Sequence, residues 1–186
     1  DTDGISEAGA ILRSGGLVAF PTETVYGLGA NALDATATRH IYEAKGRPSD
    51  NPMIVHVASI DMLNSVARGV TDEQKALMSK LWPGPITFVL RKNAGVPDVT
   101  TGGLDTVAVR WPSRREAAEI IVAAGVPIAA PSANLSGKPS PTTFEDVAED
   151  MDGRIDAIVK GERTAIGIES TVLDLTSEVP TILRPG

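Results

Sequence analysis

Short apolar runs alternate with segments of helical character along the whole 186-residue chain. Such runs have the length and composition of buried strands, and the clearest are LVAF at 17–20, MIVHVAS at 53–59, ITFVLR at 86–91 and TVAVRW at 106–111. Capping residues mark the starts of helices between the runs, at Asp34, Thr71, Ser113 and Thr142. Strands alternating with helices predict a layered α/β structure with one sheet.

Two neighbouring runs, around 86–92 and 106–111, have no predicted helix between them. A short connection of this kind joins antiparallel strands, whereas parallel neighbours need a longer crossover. We therefore predict a mixed α/β (α+β) fold whose open sheet contains both parallel and antiparallel pairs. We expect residues 1–186 to form one domain, with no second domain present.

The chain is acidic and contains no cysteine. Its 17 Lys and Arg residues against 24 Asp and Glu residues give a net charge of −7. Because nonspecific nucleic-acid binding needs many cations, this balance is unfavourable for it, and an anionic ligand would require a local cluster of the few basic residues. The lack of cysteine excludes disulfides and a cysteine nucleophile, and it fits the cytoplasmic location that we expect.

A basic cluster follows one predicted helix, in the segment Lys45-Gly-Arg47-Pro-Ser-Asp-Asn51-Pro. A lysine in the last turn of a helix is favoured by the helix dipole, which gives Lys45 a purely structural explanation. That explanation does not extend to Arg47, which follows the glycine. An ammonium and a guanidinium on a loop stiffened by two prolines suit anion binding, so both interpretations remain open.

Polar residues also follow the apolar run 126–130, which ends at Pro131-Ser132-Ala-Asn134. Ligands of open α/β sheets bind outside such strand ends, although a simple Ser/Asn turn is the structural alternative. Arg110 and Arg184 each end an apolar strand, which suggests a positive concavity. The GLGANA motif at 27–32 is separated from the preceding strand by PTETVY, which disfavours a dinucleotide site.

Taken together, these segments resemble the YrdC family of threonylcarbamoyl-AMP synthases. Seven stretches occur in the family's order over nearly the whole chain: PTETVYGLG, KGRPSDNPMIVHV, LWPGPITFVL, VAVRWP, PSANLSGKPSPTT, IESTVLDL and ILRPG. The family's hallmark pairs a Lys-x-Arg with a Ser-x-Asn, here at 45/47 and 132/134. The resemblance implies a YrdC-like domain with an open, twisted, mixed sheet flanked by helices and a basic concave site.

The resemblance implies a nucleotidyltransferase that makes L-threonylcarbamoyladenylate and pyrophosphate from L-threonine, bicarbonate and ATP. Its product would serve the tRNA N6-threonylcarbamoyladenosine (t6A37) modification, through separate transfer proteins. Mg²⁺ would accompany the ATP phosphates, and no protein-held metal is expected. Direct tRNA binding would be weak, and no membrane partner is implied.

The resemblance also implies roles for individual residues. The catalytic residues would be Lys45, Arg47, Ser132 and Asn134. The threonine-binding residues would be Thr24, His56, Arg110, Ser132 and Ser170. The ATP-binding residues would be Lys45, Arg47, Asn51, Thr106, Asn134, Thr142 and Arg184, with Lys45 among the phosphates.

The segment Thr22-Glu-Thr24 would then form one wall of the amino-acid pocket. Gly27 and Gly29 would let the backbone approach the ligand closely. For Glu23 two roles remain open: a structural one, bonding nearby backbone or a basic side chain, and a catalytic one.

Two other functions also remain open. An RNA-binding module could use the same hollow, although the net charge and the 4% aromatic content count against it. A carbamoyl-transfer domain, like the YrdC-like module of hydrogenase maturation proteins, is the second; those large chains carry zinc-finger cysteines, which are absent here. Some family members carry a linker and a second domain beyond the position of Arg184, and we expect this chain to lack them.

Overall fold

A computed structural model describes residues 2–46 and 51–186. The helices in these ranges are α1 (Thr2–Arg13), α2 (Ala35–Lys45), α3 (Ile60–Val66), α4 (Asp72–Leu81), α5 (Arg115–Ala124) and α6 (Phe144–Met151). The strands are β1 (Val18–Pro21), β2 (Tyr26–Asn31), β3 (Ile54–His56), β4 (Ile86–Arg91), β5 (Thr106–Arg110), β6 (Ile128–Ala129), β7 (Ala157–Ile158), β8 (Thr171–Asp174) and β9 (Thr181–Arg184). None of the helices in the described ranges is long and apolar enough to cross a membrane.

Two helix starts agree with the capping pattern. Asp34 accepts hydrogen bonds from the backbone N–H groups of Thr36 and Ala37 at the start of α2. Thr71 and Gln74 form a complete capping box at the start of α4. Side-chain caps of this kind satisfy backbone N–H groups that have no partner within the helix.

Two other capping predictions are wrong. Helix α5 begins after Arg114 without a side-chain cap, because Ser113 bonds Glu23 instead. Helix α6 is capped by Thr143, one residue later than predicted, through a bond from the N–H of Asp146. The short helix α3, capped by Ser59, was not predicted from the sequence.

The strands form one sheet in the order β7-β1-β2-β6-β3-β5-β4-β8-β9. The pairs β1/β7, β3/β5 and β4/β8 are parallel, and the remaining neighbours are antiparallel. The predicted antiparallel pairing of the runs at 86–92 and 106–111 is confirmed by β4 and β5. The mixed sheet is therefore confirmed as well.

The main core lies on one face of the sheet. Alternate residues of the central strands point into it, including Val55, Phe88, Leu90, Val107 and Val109, all at most 2% exposed. They pack against apolar residues of the helices on that side, among them Ile41, Leu63, Val66, Met78 and Val147. Alternation along each strand sends the intervening side chains to the opposite face.

The opposite face divides into two halves. Helices α1 and α5 cover the half formed by β1, β2 and β6, in a second core that contains Leu12, Phe20, Ile120, Ile121 and Ile128. Residues directly opposite each other on neighbouring strands share a face. Ile128 lies opposite His56, and His56 lies opposite Arg110. The same face thus continues past α1 and α5 onto β3 and β5, where it includes the polar side chains of His56, Thr106 and Arg110.

The two glycines of β2 have different neighbours. Gly27 lies beside Ala130 and lines a cavity described below. Gly29 lies instead beneath the second core, where a Cβ would be 2.7 Å from Cε1 of Phe20 and 2.9 Å from Cγ2 of Ile128. The predicted close approach to a ligand is therefore wrong for Gly29, since its missing side chain makes room for the Phe20 ring.

We predict that Gly29→Ala lowers the free energy of unfolding by about 1–3 kcal/mol, the usual cost of overpacking a tight core. Urea unfolding followed by circular dichroism measures this change. Gly95→Ala is the matched control, because nothing lies within 4 Å of a Cβ at that exposed position. Equal stabilities of the two variants would contradict the packing argument.

Candidate active site

A cavity of about 560 Å³ opens on the polar half of the second sheet face. Its floor is formed by alternate residues of neighbouring strands: Ile54, His56, Val89, Thr106, Ala108, Arg110, Val172 and Asp174. Its walls come from other segments: Thr22, Thr24, Val25 and Gly27, and the stretches 51–53, 130–132, 169–170 and 183–184. The volume lies in the range of small-molecule sites, and the small side chain of Ala108 leaves space in the middle of the floor.

Arg110 lies at one end of this cavity and is only 4% exposed. Its Nε donates to the carbonyl of Gly84 at 3.3 Å, its Nη1 to the hydroxyl of Thr24 at 2.8 Å, and its Nη2 to a carboxylate oxygen of Glu23. Burial lowers the pKa of Arg110, while the adjacent Glu23 carboxylate opposes that shift. The group remains a cation, since guanidinium does not lose its proton in proteins.

The two threonines of the 22–24 segment have different tasks. The hydroxyl of Thr22 donates to the carbonyl of Val25 at 2.7 Å, which closes the tight turn between β1 and β2. Because that hydroxyl has only one proton, the 2.9 Å contact between the two threonines is donated by Thr24. A chain of hydrogen bonds therefore runs from Arg110 through Thr24 to Thr22, and it fixes the wall beside the guanidinium.

Lys45 lies beneath another wall, with 2% of its surface exposed. Its Nζ donates to the carbonyls of Ser132 and Asn134, the latter at 2.8 Å, and lies 3.5 Å from the Asn134 side-chain oxygen. The Asn134 amide in turn donates to the carbonyls of Leu135 and Lys138, at 2.8 Å each. Lysine and asparagine together hold the segment that presents Ser132 to the cavity.

Asp150 of α6 supports the same segment from behind. Its carboxylate accepts from the N–H of Leu135 and from Nζ of Lys138, both at 3.0 Å. Burial acts to raise the pKa of Asp150, but the Leu135 N–H and the Lys138 ammonium outweigh it, so the pKa lies below the usual value. Asp150 is therefore an anion at neutral pH and balances the nearby Lys45 charge.

The wall opposite Ser132 is built around Ser170. Its hydroxyl lies 2.7 Å from that of Thr87, and its carbonyl accepts from Nε and Nη2 of Arg184 at 3.1 and 2.9 Å. Nη1 of Arg184 pairs with Glu169 at 3.0 Å, and Glu169 also accepts from the Ser140 hydroxyl at 2.8 Å. Arg184 thus ties β9 to the segment preceding β8 at the edge of the cavity.

His56 lies on the floor beside Arg110 and is 3% exposed. Its Nδ1 is 3.2 Å from the carbonyl of Ile54. The backbone carbonyl of Ile128 also contacts the ring, so a protonated ring nitrogen has a carbonyl acceptor. Burial and the neighbouring Arg110 charge lower the pKa of His56 to about 3, so the ring is neutral at physiological pH.

The structure brings most of the predicted site residues together. Eight of them line the cavity: Thr24, Asn51, His56, Thr106, Arg110, Ser132, Ser170 and Arg184. Lys45 and Asn134 lie under Ser132 rather than in the lining, and Thr142, whose carbonyl accepts from the N–H of Thr164, is likewise not in it. Arg47 lies outside the described residues. The roles assigned to all of these residues stay predictions.

The sequence reasoning missed several contributors to the site. Glu169, Asp174, Leu104 and Leu183 line the cavity. The contacts of Glu23 are those of the structural role that the sequence left open: a basic side chain, Arg110, and the backbone of Ser113. Asp174 had a usable signal, since it alternates with Ser170 and Val172 along one strand. Among residues 2–46 and 51–186, no group of three or more His, Asp or Glu residues could hold a metal ion.

A mixed sheet with one partly uncovered face, and a buried arginine among hydroxyl groups on it, has the features of a site for a small anionic or zwitterionic ligand. The family model Sua5_yciO_yrdC, described as "Telomere recombination", matches residues 10–186. The chain therefore belongs to the Sua5/YciO/YrdC family, and the resemblance seen in its motifs is confirmed.

The chain is similar to two proteins named threonylcarbamoyl-AMP synthase. It is 57% identical over 179 residues to that of Pyrococcus abyssi, covering 96% of this chain and 53% of the relative. It is 55% identical over 184 residues to that of Bacillus subtilis, covering 98% and 53%. The chain thus spans about half the length of these relatives.

A solved structure agrees closely with the fold. The crystal structure of P. abyssi Sua5 complexed with L-threonine matches with a TM-score of 0.97 and 55% sequence identity. The match covers 100% of this chain and 55% of that one.

The low pKa of His56 predicts a loss of stability in mild acid. Below its ordinary pKa of 6.5 the unfolded His56 takes up a proton, whereas the folded ring does so only near pH 3. The free energy of unfolding should therefore fall by about 2 kcal/mol more in the wild type than in His56→Gln between pH 7 and pH 5. Urea titrations at both pH values measure the difference.

The control for this prediction is His40→Gln, which makes the same change at an exposed position of α2. It should keep the pH dependence of the wild type. If His56→Gln also keeps it, the buried neutral state of His56 is wrong.

Proposed function

We propose that this chain catalyses the synthesis of L-threonylcarbamoyladenylate and pyrophosphate from L-threonine, bicarbonate and ATP. The observation that carries the proposal is the single cavity at which eight predicted site residues from separate segments meet. The names of the similar proteins support it, as does the L-threonine bound to P. abyssi Sua5.

The amino acid is proposed to bind at the Arg110 end of the cavity. A guanidinium binds a carboxylate through two N–H groups, which gives orientation as well as affinity. The hydroxyls of Thr24, Ser132 and Ser170 border this end and can bond the remaining polar groups of threonine. His56, held neutral, adds a hydrogen-bonding ring without a second positive charge.

The nucleotide is proposed to bind towards the Thr106 end. Thr106 and Arg110 are the two ends of β5, about 13 Å apart at the usual rise of a strand. That length accommodates an amino acid next to a nucleotide. Asn51 offers a polar contact there, and the apolar residues Pro52, Met53 and Leu104 offer a surface for a base. Arg184 lies level with Arg110 across β4 and β8, so it is proposed to meet the phosphates of the nucleotide where they approach the amino acid.

The chemistry requires positioning more than a protein nucleophile. The threonine amine attacks the carbon of bicarbonate, water leaves, and a carbamate forms. A carbamate oxygen then attacks the α-phosphorus of ATP, the bond from that phosphorus to the bridging oxygen breaks, and pyrophosphate leaves with the electron pair. Holding these anions together and stabilising the developing charge is work that Arg and hydroxyl groups perform.

Mg²⁺ is proposed to enter with ATP as part of the substrate. The product is proposed to serve threonylcarbamoyladenosine formation in tRNA, with separate proteins carrying out the transfer.

The direct test is pyrophosphate release by the purified chain. Release should require both L-threonine and bicarbonate in addition to MgATP. Equal release without threonine would contradict the proposal.

Arg184→Ala should lower kcat/KM for ATP at least tenfold, because a charge-assisted hydrogen bond is worth about 1.5–3 kcal/mol. Steady-state rates at saturating threonine measure this. Arg91→Ala is the control, since the Arg91 side chain is similarly exposed and pairs only loosely, at 3.7 Å, with Asp105. An unchanged kcat/KM in Arg184→Ala would remove Arg184 from the ATP site.

A further inference from the structure

Glu23 is a buried acid that touches the key arginine of the site without lining the cavity. It is 8% exposed, and the lining contains its neighbours Thr22 and Thr24 but not Glu23. One carboxylate oxygen, Oε1, accepts from Nη2 of Arg110. The other, Oε2, accepts from the backbone N–H and the hydroxyl of Ser113, at 2.7 and 2.6 Å.

The bonds of Arg110 to protein groups leave two of its N–H groups available, and Arg110 lines the cavity. A guanidinium has five N–H groups in a planar fork. Protein groups take one N–H each on Nε, Nη1 and Nη2. One N–H therefore remains on each of the two terminal nitrogens, which is the arrangement that binds a carboxylate in a bidentate manner.

The position of Glu23 demands a carboxylate rather than an amide. Both neighbours, the Arg110 guanidinium and the Ser113 backbone, present N–H donors. A carboxylate accepts at both oxygens, whereas an amide would turn its NH₂ group towards one of these donors. A glutamine of the same shape would therefore release one of the two anchors.

A role for Glu23 as a base is disfavoured by the same contacts. Both of its oxygens accept hydrogen bonds from protein groups, and Glu23 is not among the residues that line the cavity. Proton removal from a substrate amine would need one of those oxygens within hydrogen-bond reach of the ligand.

We propose that Glu23, anchored by Ser113, is a positioning residue for amino-acid binding: it fixes the plane of the Arg110 guanidinium so that two N–H groups face the carboxylate of the substrate. This inference rests on the proposed function. Glu23 would therefore affect the affinity for the amino acid and not the affinity for the nucleotide.

The test is calorimetric titration of L-threonine, and separately of a non-hydrolysable ATP analogue, into the wild type and three variants. Glu23→Gln should weaken threonine binding at least tenfold and change binding of the analogue less than twofold. Glu23→Asp, which restores the charge, should recover part of the lost affinity. Glu162→Gln makes the same chemical change at an exposed position and should behave as the wild type.

The titrations distinguish a positioning role of Glu23 from a general structural role. Threonine affinity within twofold of the wild type in a folded Glu23→Gln overturns the proposal, and so does an equal loss for both ligands, which indicates a general structural defect. If Glu23→Gln does not fold, Ser113→Ala replaces it, because this variant removes the hydroxyl bond to Oε2 and keeps the backbone N–H bond. A several-fold loss for threonine alone supports the proposal, and no loss overturns it. A wild type that binds no threonine contradicts the proposed function itself, and this inference with it.

Discussion

Two buried cations, Lys45 and Arg110, hold the walls of the cavity to the sheet. A charge taken out of water costs several kcal/mol unless oxygen atoms surround it, so the backbone near each cation has little freedom. Lys45 is bonded by the carbonyls of Ser132 and Asn134, and Arg110 by Glu23, Thr24 and Gly84. The two segments that carry the hydroxyl groups of Thr24 and Ser132 are thereby fixed, and they pair with each other through a bridge between Gly27 and Ser132 on one side of the hollow.

The hollow itself follows from the uneven cover of the sheet. Helices α1 and α5 bury the β1-β2-β6 half of one face beneath apolar side chains. The continuation of that face carries His56, Thr106, Ala108 and Arg110, which are too polar or too small to support a helix. A chain of net charge −7 can in this way offer a local site for anions. The site depends on where its few cations lie and not on how many basic residues the chain contains.

Much of this arrangement could be predicted from the sequence. The sequence indicated that Arg110 ends an apolar strand and belongs to a positive concavity, and Asp34 and Thr71 marked two helix starts correctly. The predicted helix cap at Ser113 is wrong because Ser113 bonds Glu23, which is far away in the sequence. Local residue spacing carries no information about such distant partners. For the same reason the burial of Lys45 beneath Ser132 was not foreseen. Arg47 lies outside the described residues, so its predicted role rests on the sequence alone.

The central claim is that the polar half of the sheet face binds an amino acid at its Arg110 end and a nucleotide at its Thr106 end. A crystal structure of the chain with L-threonine and a non-hydrolysable ATP analogue measures this directly. The account predicts both threonine carboxylate oxygens at about 2.8 Å from the terminal nitrogens of Arg110, with the nucleoside next to Thr106 and the phosphates towards Arg184. Ligands bound outside this cavity, or threonine bound without contact to Arg110, would contradict it.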